Sequence, residues 1–186
     1  MTQYNTSTQQ VKIYDQVCQL QSVAPNCWLV DECFCSETLS WMQDIVINEQ
    51  NQFAVSRPHR RLMLQPGPDH ARLQQIGLDI RPSLNQISGL DLNLMLVKFW
   101  LDLPGFACQT HSDSPSIIVT YQVYVDIWSS EQDPCHGIEF LHVDPPYKLE
   151  LANNKGYINV NTDLKPHRVM PGIGTRASVT FQYNLV

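Results

Sequence analysis

Long apolar runs, basic stripes and paired cysteines are what this 186-residue sequence has least of. No window approaches the roughly eighteen continuous apolar residues that a membrane helix needs, so no span is expected. Lys and Arg number 12 against 18 Asp and Glu, a net charge of −6. That balance argues against broad phosphate neutralisation, and nucleic acid is disfavoured as a partner. Six cysteines (18, 27, 33, 35, 108 and 135) are too few for a disulfide scaffold at this length. Cys33-Phe-Cys35 lacks the pair spacing of structural zinc, and the cysteines read as small buried hydrophobes. G-x-S-x-G, Walker A and G-x-G-x-x-G are absent, which removes the reactions those loops serve. No repeat or low-complexity tract occurs. The polar start, Met1 to Gln10, reads as a frayed end without a signal peptide, and the expected location is a reducing cytoplasm.

The remaining composition, 43% apolar and 16% charged, is that of a globular chain. One domain is expected over 1–186, with 1–91 as a helical and strand support and 92–186 as a β core. Ser36 is expected to cap a helix to Asn48, with Leu39, Met42, Ile45 and Val46 on one face. Arg61–Gln65 reads as a short strand stopped by Pro66-Gly67-Pro68, followed by helices over 69–76 and 83–88. From Leu92 the pattern changes to strands and turns. Leu92 to Leu103 is largely apolar and is turned back by Pro104-Gly105. Ile117 to Trp128 alternates: Ile117, Val119, Tyr121, Val123, Val125 and Ile127 form an apolar phase, while the other, Ile118, Thr120, Gln122, Tyr124, Asp126 and Trp128, is largely polar. Arg176, Ser178, Thr180, Gln182 and Asn184 form a polar phase of the last strand, opposite Ala177, Val179, Phe181 and Tyr183. Two strands with one polar phase each fit a barrel with a polar, ligand-filled interior.

Chemistry concentrates in His111-Ser-Asp113, in His167 fifty-four residues later, and in Arg176 nine beyond that. Side chains at i and i+2 of an extended segment lie on the same side, so His111 and Asp113 can reach one ion. Two imidazoles and one carboxylate make the facial set that holds non-haem Fe(II) with open positions. Pro171-Gly172-Ile173-Gly174 lets a second strand return antiparallel to the one bearing His167, bringing Arg176 to the same cavity. A guanidinium there is a fork for the carboxylate of an acidic co-substrate.

The stretch from about Leu96 to Leu185 resembles the double-stranded β-helix core of the Fe(II)/2-oxoglutarate-dependent oxygenases, and within them the prolyl-4-hydroxylase-like group. The matching pieces are Pro104-Gly105 before His111-Ser-Asp113, the run Val119 to Asp126, Gly137 to Phe140, Lys155-Gly-Tyr157, Pro166 to Val169, and Gly174 to Thr180. The implied fold is mainly β with flanking helices, a jelly-roll or cupin-like core. The resemblance implies that His111, Asp113 and His167 bind Fe(II). It also implies that Arg176 pairs with the distal carboxylate of 2-oxoglutarate, that Tyr124 hydrogen-bonds the same group, and that Ser178 adds a hydroxyl. Thr120 and Gln122 face the same way.

The implied reaction takes 2-oxoglutarate and O2 to succinate and CO2 while hydroxylating a C–H bond. A protein or peptidyl residue leads as substrate, ahead of a free amino acid or small metabolite. Two positions depart from the family pattern: Leu101 stands where some members have a tyrosine, and His136-Gly137 where a glycine pair is common. Two further readings stand beside the enzyme: a non-catalytic β-barrel binding or sensor module, and a structural jelly roll with incidental histidines. His59 and His70 read as surface residues. Cys135, His136 and His142 read as a loop between strands, and Arg57-Pro-His-Arg60-Arg61 as a solvated turn. His136, His142 and that basic cluster stay open as substrate contacts. The sequence leaves the substrate, the oligomeric state and the role of the first half undecided.

Overall fold

The computed structural model describes residues 8–57, 60–128, 136–142, 144–161, 165–172 and 174–186. His59, Cys135 and the segment 1–7 lie outside the described residues, as do the side chains of Arg57, Asp126, Ile127, Trp128 and His136. The strands are β1 (Thr8–Ile13), β2 (Gln16–Ala24), β3 (Cys27–Asp31), β4 (Phe53–Arg57), β5 (Arg61–Leu64), β6 (Leu92–Asp102), β7 (Cys108–His111), β8 (Val119–Trp128), β9 (His136–Phe140), β10 (Tyr147–Glu150), β11 (Lys155–Val160), β12 (His167–Val169) and β13 (Thr175–Leu185). The helices are α1 (Ser36–Asn48) and α2 (Pro68–Ser88).

Nine strands form one sheet in the order β1-β2-β3-β11-β8-β13-β6-β5-β4, and four form a second, β10-β9-β12-β7. Both are antiparallel throughout. This is the expected double-stranded β-helix with helices outside it. The strands of the first half (β1 to β5) continue both edges of the large sheet.

Period-two alternation sorts the large sheet's two faces. Val119, Tyr121, Val123 and Val125 of β8 and Ala177, Val179, Phe181 and Tyr183 of β13 are buried. They share one core with Met42, Ile45 and Val46 of α1 and Leu73, Ile76, Ile80 and Leu84 of α2. Truncating a ring such as Phe181, stacked on Tyr121 at 6.1 Å, would cost about 3–5 kcal/mol. The opposite phase meets the small sheet in a second core, where Cys27, Leu29, Tyr124 and Tyr157 face Ile138, Phe140 and Leu149. The polar phase of β13 is therefore interior: Arg176, Ser178, Thr180 and Gln182 are all buried.

Four local expectations are corrected. The strand bearing Arg176 does not return antiparallel onto the one bearing His167: β13 pairs with β6 and β8 in the large sheet, while β12 pairs with β7 and β9 in the small one. Cys35, not Ser36, is the N-cap of α1, and no side chain caps it. The helices expected over 69–76 and 83–88 are one 21-residue helix that runs through Pro82. It survives because the buried positions Leu73, Ile76, Gly77, Ile80 and Leu84 form one continuous stripe. Pro82 and Leu78 are exposed, so the carbonyl deprived of its helical hydrogen bond faces water. The strand expected from Ile117 begins at Val119, because Ile117 N–H closes a turn onto Ser114 O at 2.8 Å.

Candidate metal centre

The register of the small sheet sets His111 of β7 directly opposite His167 of β12. Their ring centroids lie 4.4 Å apart. Asp113, two residues past the end of β7, brings Oδ1 to 4.0 Å from His167 Nε2. One ligand atom from each of the three residues lies within 4.8 Å of the others, and no second such group occurs among the described residues.

Backbone carbonyls hold both imidazoles in the tautomer a metal requires. His111 Nδ1 donates to Gln109 O at 2.9 Å, and His167 Nδ1 to Lys165 O at 3.1 Å. In each case the carbonyl belongs to the residue two positions earlier, and Nε2 is left for an ion. Asp113 Oδ2 accepts from Thr120 Oγ1 at 3.1 Å and from Asn161 Nδ2 at 3.0 Å. Asn161 Oδ1 in turn accepts from Asn159 Nδ2 at 2.7 Å. The carboxylate is thus tied to the large sheet by one oxygen while the other points at His167. The centre bridges the two sheets.

Its electrostatics are uneven. Burial holds the His167 pKa below the usual imidazole value, against the pull of Asp113. His111 is pushed up to about 9, first by its contact with Cys108 (Sγ to Nδ1 3.5 Å), with the Gln109 carbonyl and Asp113 adding to it and burial opposing it. His167 is buried and His111 exposed, so the centre is open on the β7 side. A cavity of about 470 Å³ lies along that strand pair, lined by Cys108, Gln109, Thr110, Arg168, Val169 and Met170 among others.

Arg176 and Ser178 of β13 and Tyr124 of β8 share the interior face, and Ser178 pairs with Tyr124 across the strands. Tyr157 OH donates to Gln122 Oε1 at 3.0 Å, which fixes the amide so that its Nε2 donates to Ser178 Oγ at 3.2 Å. The Ser178 hydroxyl thereby keeps its own proton to donate. Burial pushes the Tyr124 phenol up to about 12, with Asp102 adding to the rise and Arg176 and Arg61 opposing it. It is protonated, and a donor, at neutral pH. Thr180 Oγ1 and Asn159 Oδ1 are buried without partners among the described residues. Such atoms on an interior face suit a polar occupant.

Arg176 is itself ion-paired: its Nε donates to Asp102 Oδ2 at 2.9 Å. The same carboxylate takes both arms of Arg61, Nε to Oδ1 at 2.5 Å and Nη2 to Oδ2 at 2.8 Å. Of the solvated turn expected at 57–61, Arg60 is an exposed turn residue, while Arg61 departs from it: it opens β5, where the expected strand begins, and its side chain is only 20% exposed. Sequence reasoning also missed Asp102, Asn159 and Asn161. Asn159 and Asn161 carry a legible signal, the period-two phase of Tyr157. Asp102 carries little, a lone acid at the end of an apolar run.

Cys18, Cys27 and Cys33 are buried as expected. Cys35 instead binds Asp15 at 2.9 Å, and Cys108 lies beside His111. His70 is half-buried rather than on the surface, its Nε2 3.3 Å from Val97 O. His142, in the turn after β9, has both ring nitrogens buried and unpaired among the described residues. None of these joins the metal centre. No described helix is long and apolar enough to cross a membrane.

No family sequence model matches the chain, and no curated protein sequence matches it. Solved structures do. A Pseudomonas putida prolyl-4-hydroxylase superposes with a TM-score of 0.64 at 16% identity, covering 87% of this chain and 93% of that one. A Trichoplax adhaerens prolyl hydroxylase, solved with a peptide fragment of hypoxia inducible factor, gives 0.64 at 14% over 86% and 84%. HygX from Streptomyces hygroscopicus, solved with nickel and 2-oxoglutarate, gives 0.65 at 10% over 87% and 83%. Two antiparallel sheets closed over a His111, Asp113 and His167 cluster, superposing on these proteins along most of the chain, have the double-stranded β-helix fold of the 2-oxoglutarate–Fe(II) oxygenases in the form shared by prolyl-4-hydroxylases.

Proposed function

We propose that the protein is an Fe(II)- and 2-oxoglutarate-dependent oxygenase that hydroxylates a C–H bond, releasing succinate and CO2. The observation that carries this is the convergence of His111, Asp113 and His167, one ligand atom from each within 4.8 Å of the others and each side chain oriented by a hydrogen bond of its own. Two imidazoles and one carboxylate suit Fe(II) and leave positions open. Iron with 2-oxoglutarate and O2 supplies the oxidative decarboxylation that drives hydroxylation.

The chain's own residues do the rest. His111, Asp113 and His167 hold the metal at the junction of the sheets. Arg176 supplies positive charge for the distal carboxylate, and the Tyr124 phenol and Ser178 hydroxyl donate to it. The small sheet and the rings of Tyr157 and Phe140 keep water from this end, where each charged hydrogen bond is worth more than in solvent. The primary substrate reaches the metal from the open β7 side, along the cavity flanking His111.

A peptidyl residue is the substrate class we favour, on the likeness to prolyl hydroxylases, one of them solved with a peptide. The small-molecule alternative rests on the likeness to HygX, solved also with hygromycin B bound. We further infer that residues 1–91 support the core by extending the large sheet and covering its outer face.

The test is succinate release from 2-oxoglutarate with Fe(II) and O2. The wild type is expected to release succinate and His111→Ala to release none. In a companion melt, 2-oxoglutarate with Mn(II) should raise Tm for the wild type and not for Arg176→Ala. A wild type that binds neither metal nor 2-oxoglutarate refutes the proposal. One that binds both without turnover on any substrate panel is a sensor instead.

A further inference from the structure

Lys165 is only 5% exposed, although lysine is among the residues least often found inside a protein. Its Nζ donates to Pro25 O at 2.8 Å. Pro25 and Asn26 make the turn between β2 and β3. Asn26 has a φ of +59°, as the third residue of a type II turn does. The next carbonyl of the same turn, Asn26 O, accepts from Val160 N at 2.9 Å. Two successive carbonyls of the first half of the chain therefore hold two residues of the second.

Those two residues lead to the metal centre by separate routes. Val160 is followed by Asn161, whose amide donates to Asp113 Oδ2 at 3.0 Å. Lys165 offers its own backbone oxygen to His167 Nδ1 at 3.1 Å. Asp113 is tied to the large sheet and His167 lies on the small one, so the ligands converge only if the sheets stand correctly against each other. Around the turn, Ala24 and Cys27 share a buried cluster with Phe140, which pairs with His167 across the small sheet. Apolar contact of this kind is non-directional. A hydrogen bond has a preferred line, and the Lys165 side chain supplies one from the start of β12 to the large sheet. We propose that Lys165 is a positioning residue of the metal centre: held by the Pro25-Asn26 turn, it fixes where His167 stands relative to Asp113. This rests on the functional reading above, in which those residues bind the metal. It gives a turn of the first half of the chain a part in the site.

The experiment is Mn(II) titration followed by EPR, with a melt of each protein alongside. Wild type is compared with Lys165→Met, Lys165→Arg, Asn26→Val, Asn26→Gly, Lys165→Met with Asn26→Val, Leu84→Ala and His111→Ala. Lys165→Met removes the donor but leaves the carbonyl that meets His167, and is expected to weaken Mn(II) at least about tenfold. Lys165→Arg keeps a donor of similar reach and should restore most of the affinity. Asn26→Gly adopts the positive φ freely and should bind like wild type, whereas Asn26→Val is strained there and should weaken Mn(II) by moving both carbonyls. Since both changes act on one contact, the double variant should lose less than the product of the single losses. Leu84→Ala, in the α2 stripe of the other core, should lower Tm without changing Mn(II) affinity, which separates positioning from stability. The inference alone is overturned if Lys165→Met binds within about twofold of wild type, or Lys165→Arg shows no recovery. It is overturned equally if Asn26→Val binds like Asn26→Gly, if the double variant shows the full product, or if Leu84→Ala weakens Mn(II) as much as Lys165→Met. A wild type that fails to bind Mn(II), or a His111→Ala that binds it equally well, overturns the functional reading and this inference with it.

Discussion

Replacing Asn161 with alanine tests how the metal centre is held. Asn161 is 6% exposed and donates to Asp113 Oδ2 at 3.0 Å while accepting from Asn159 at 2.7 Å. Its loss removes one of two hydrogen bonds to the carboxylate oxygen that does not face His167. A hydrogen bond to a charged group is worth about 1.5–3 kcal/mol. Asp113 keeps its bond from Thr120 but loses the contact that fixes its rotamer, and groups of this kind typically carry about 10- to 100-fold in metal affinity. Separately, the Asn159 amide loses its acceptor in a site 1% exposed, at a cost of about 1–3 kcal/mol. For a chain of this size that lowers Tm by roughly 2–12 °C. Thr120→Val separates the two effects, since it removes the other bond to Asp113, keeps the volume and leaves the Asn159 contact intact. Mn(II) titration followed by EPR, beside thermal melts, should show both variants losing metal affinity and Asn161→Ala losing more stability. An Asn161→Ala protein binding Mn(II) within about twofold of wild type would refute the idea that this network orients the ligand.

Three further outcomes are expected. His111, raised to about 9, is protonated at neutral pH, and metal binding must displace that proton; Mn(II) affinity should rise about tenfold per pH unit up to about pH 9 and then level off. His167, lowered by burial, adds no step there, and a flat affinity between pH 7 and 9 contradicts the assignment. Gly156→Ala should destabilise the fold by about 2–4 kcal/mol in urea, because its methyl would strike the Gln122 carbonyl and press Cys33 Sγ at 3.2 Å; a change below about 0.5 kcal/mol would show that β11 can shift. In a Cys135→Ser background a thiol reagent should label Cys35 and Cys108 and spare Cys18, Cys27 and Cys33, the first two raised to about 11 and 12 by burial. Fast labelling of more than two thiols in the folded protein would contradict the burial.

Much of the core was legible because antiparallel strands with one buried face write themselves as period two. That alternation puts Thr120, Gln122 and Tyr124 on one face of their strand and Arg176 and Ser178 on one face of theirs, and the large sheet turns both faces inward. The helical stripe of α2 was equally present, yet Pro82 split it in two on paper, since a proline's cost depends on whether the freed carbonyl meets water. The pairing of Arg61 is illegible for the opposite reason. Nothing in a run of arginines says that an aspartate forty-one residues later will bind one of them.

The sequence by itself determined the candidate side chains, their order along the chain and the face each strand turns inward, because those depend on side-chain chemistry and local periodicity. Only the tertiary structure decided which atoms are free to act. Register set His111 against His167, carbonyls two residues upstream chose their tautomers, and Asn161 took one oxygen of Asp113 and left the other. Asp102 joined Arg61 to Arg176. Each of these is a distance between residues far apart in the chain, and such distances exist only once the sheets have paired.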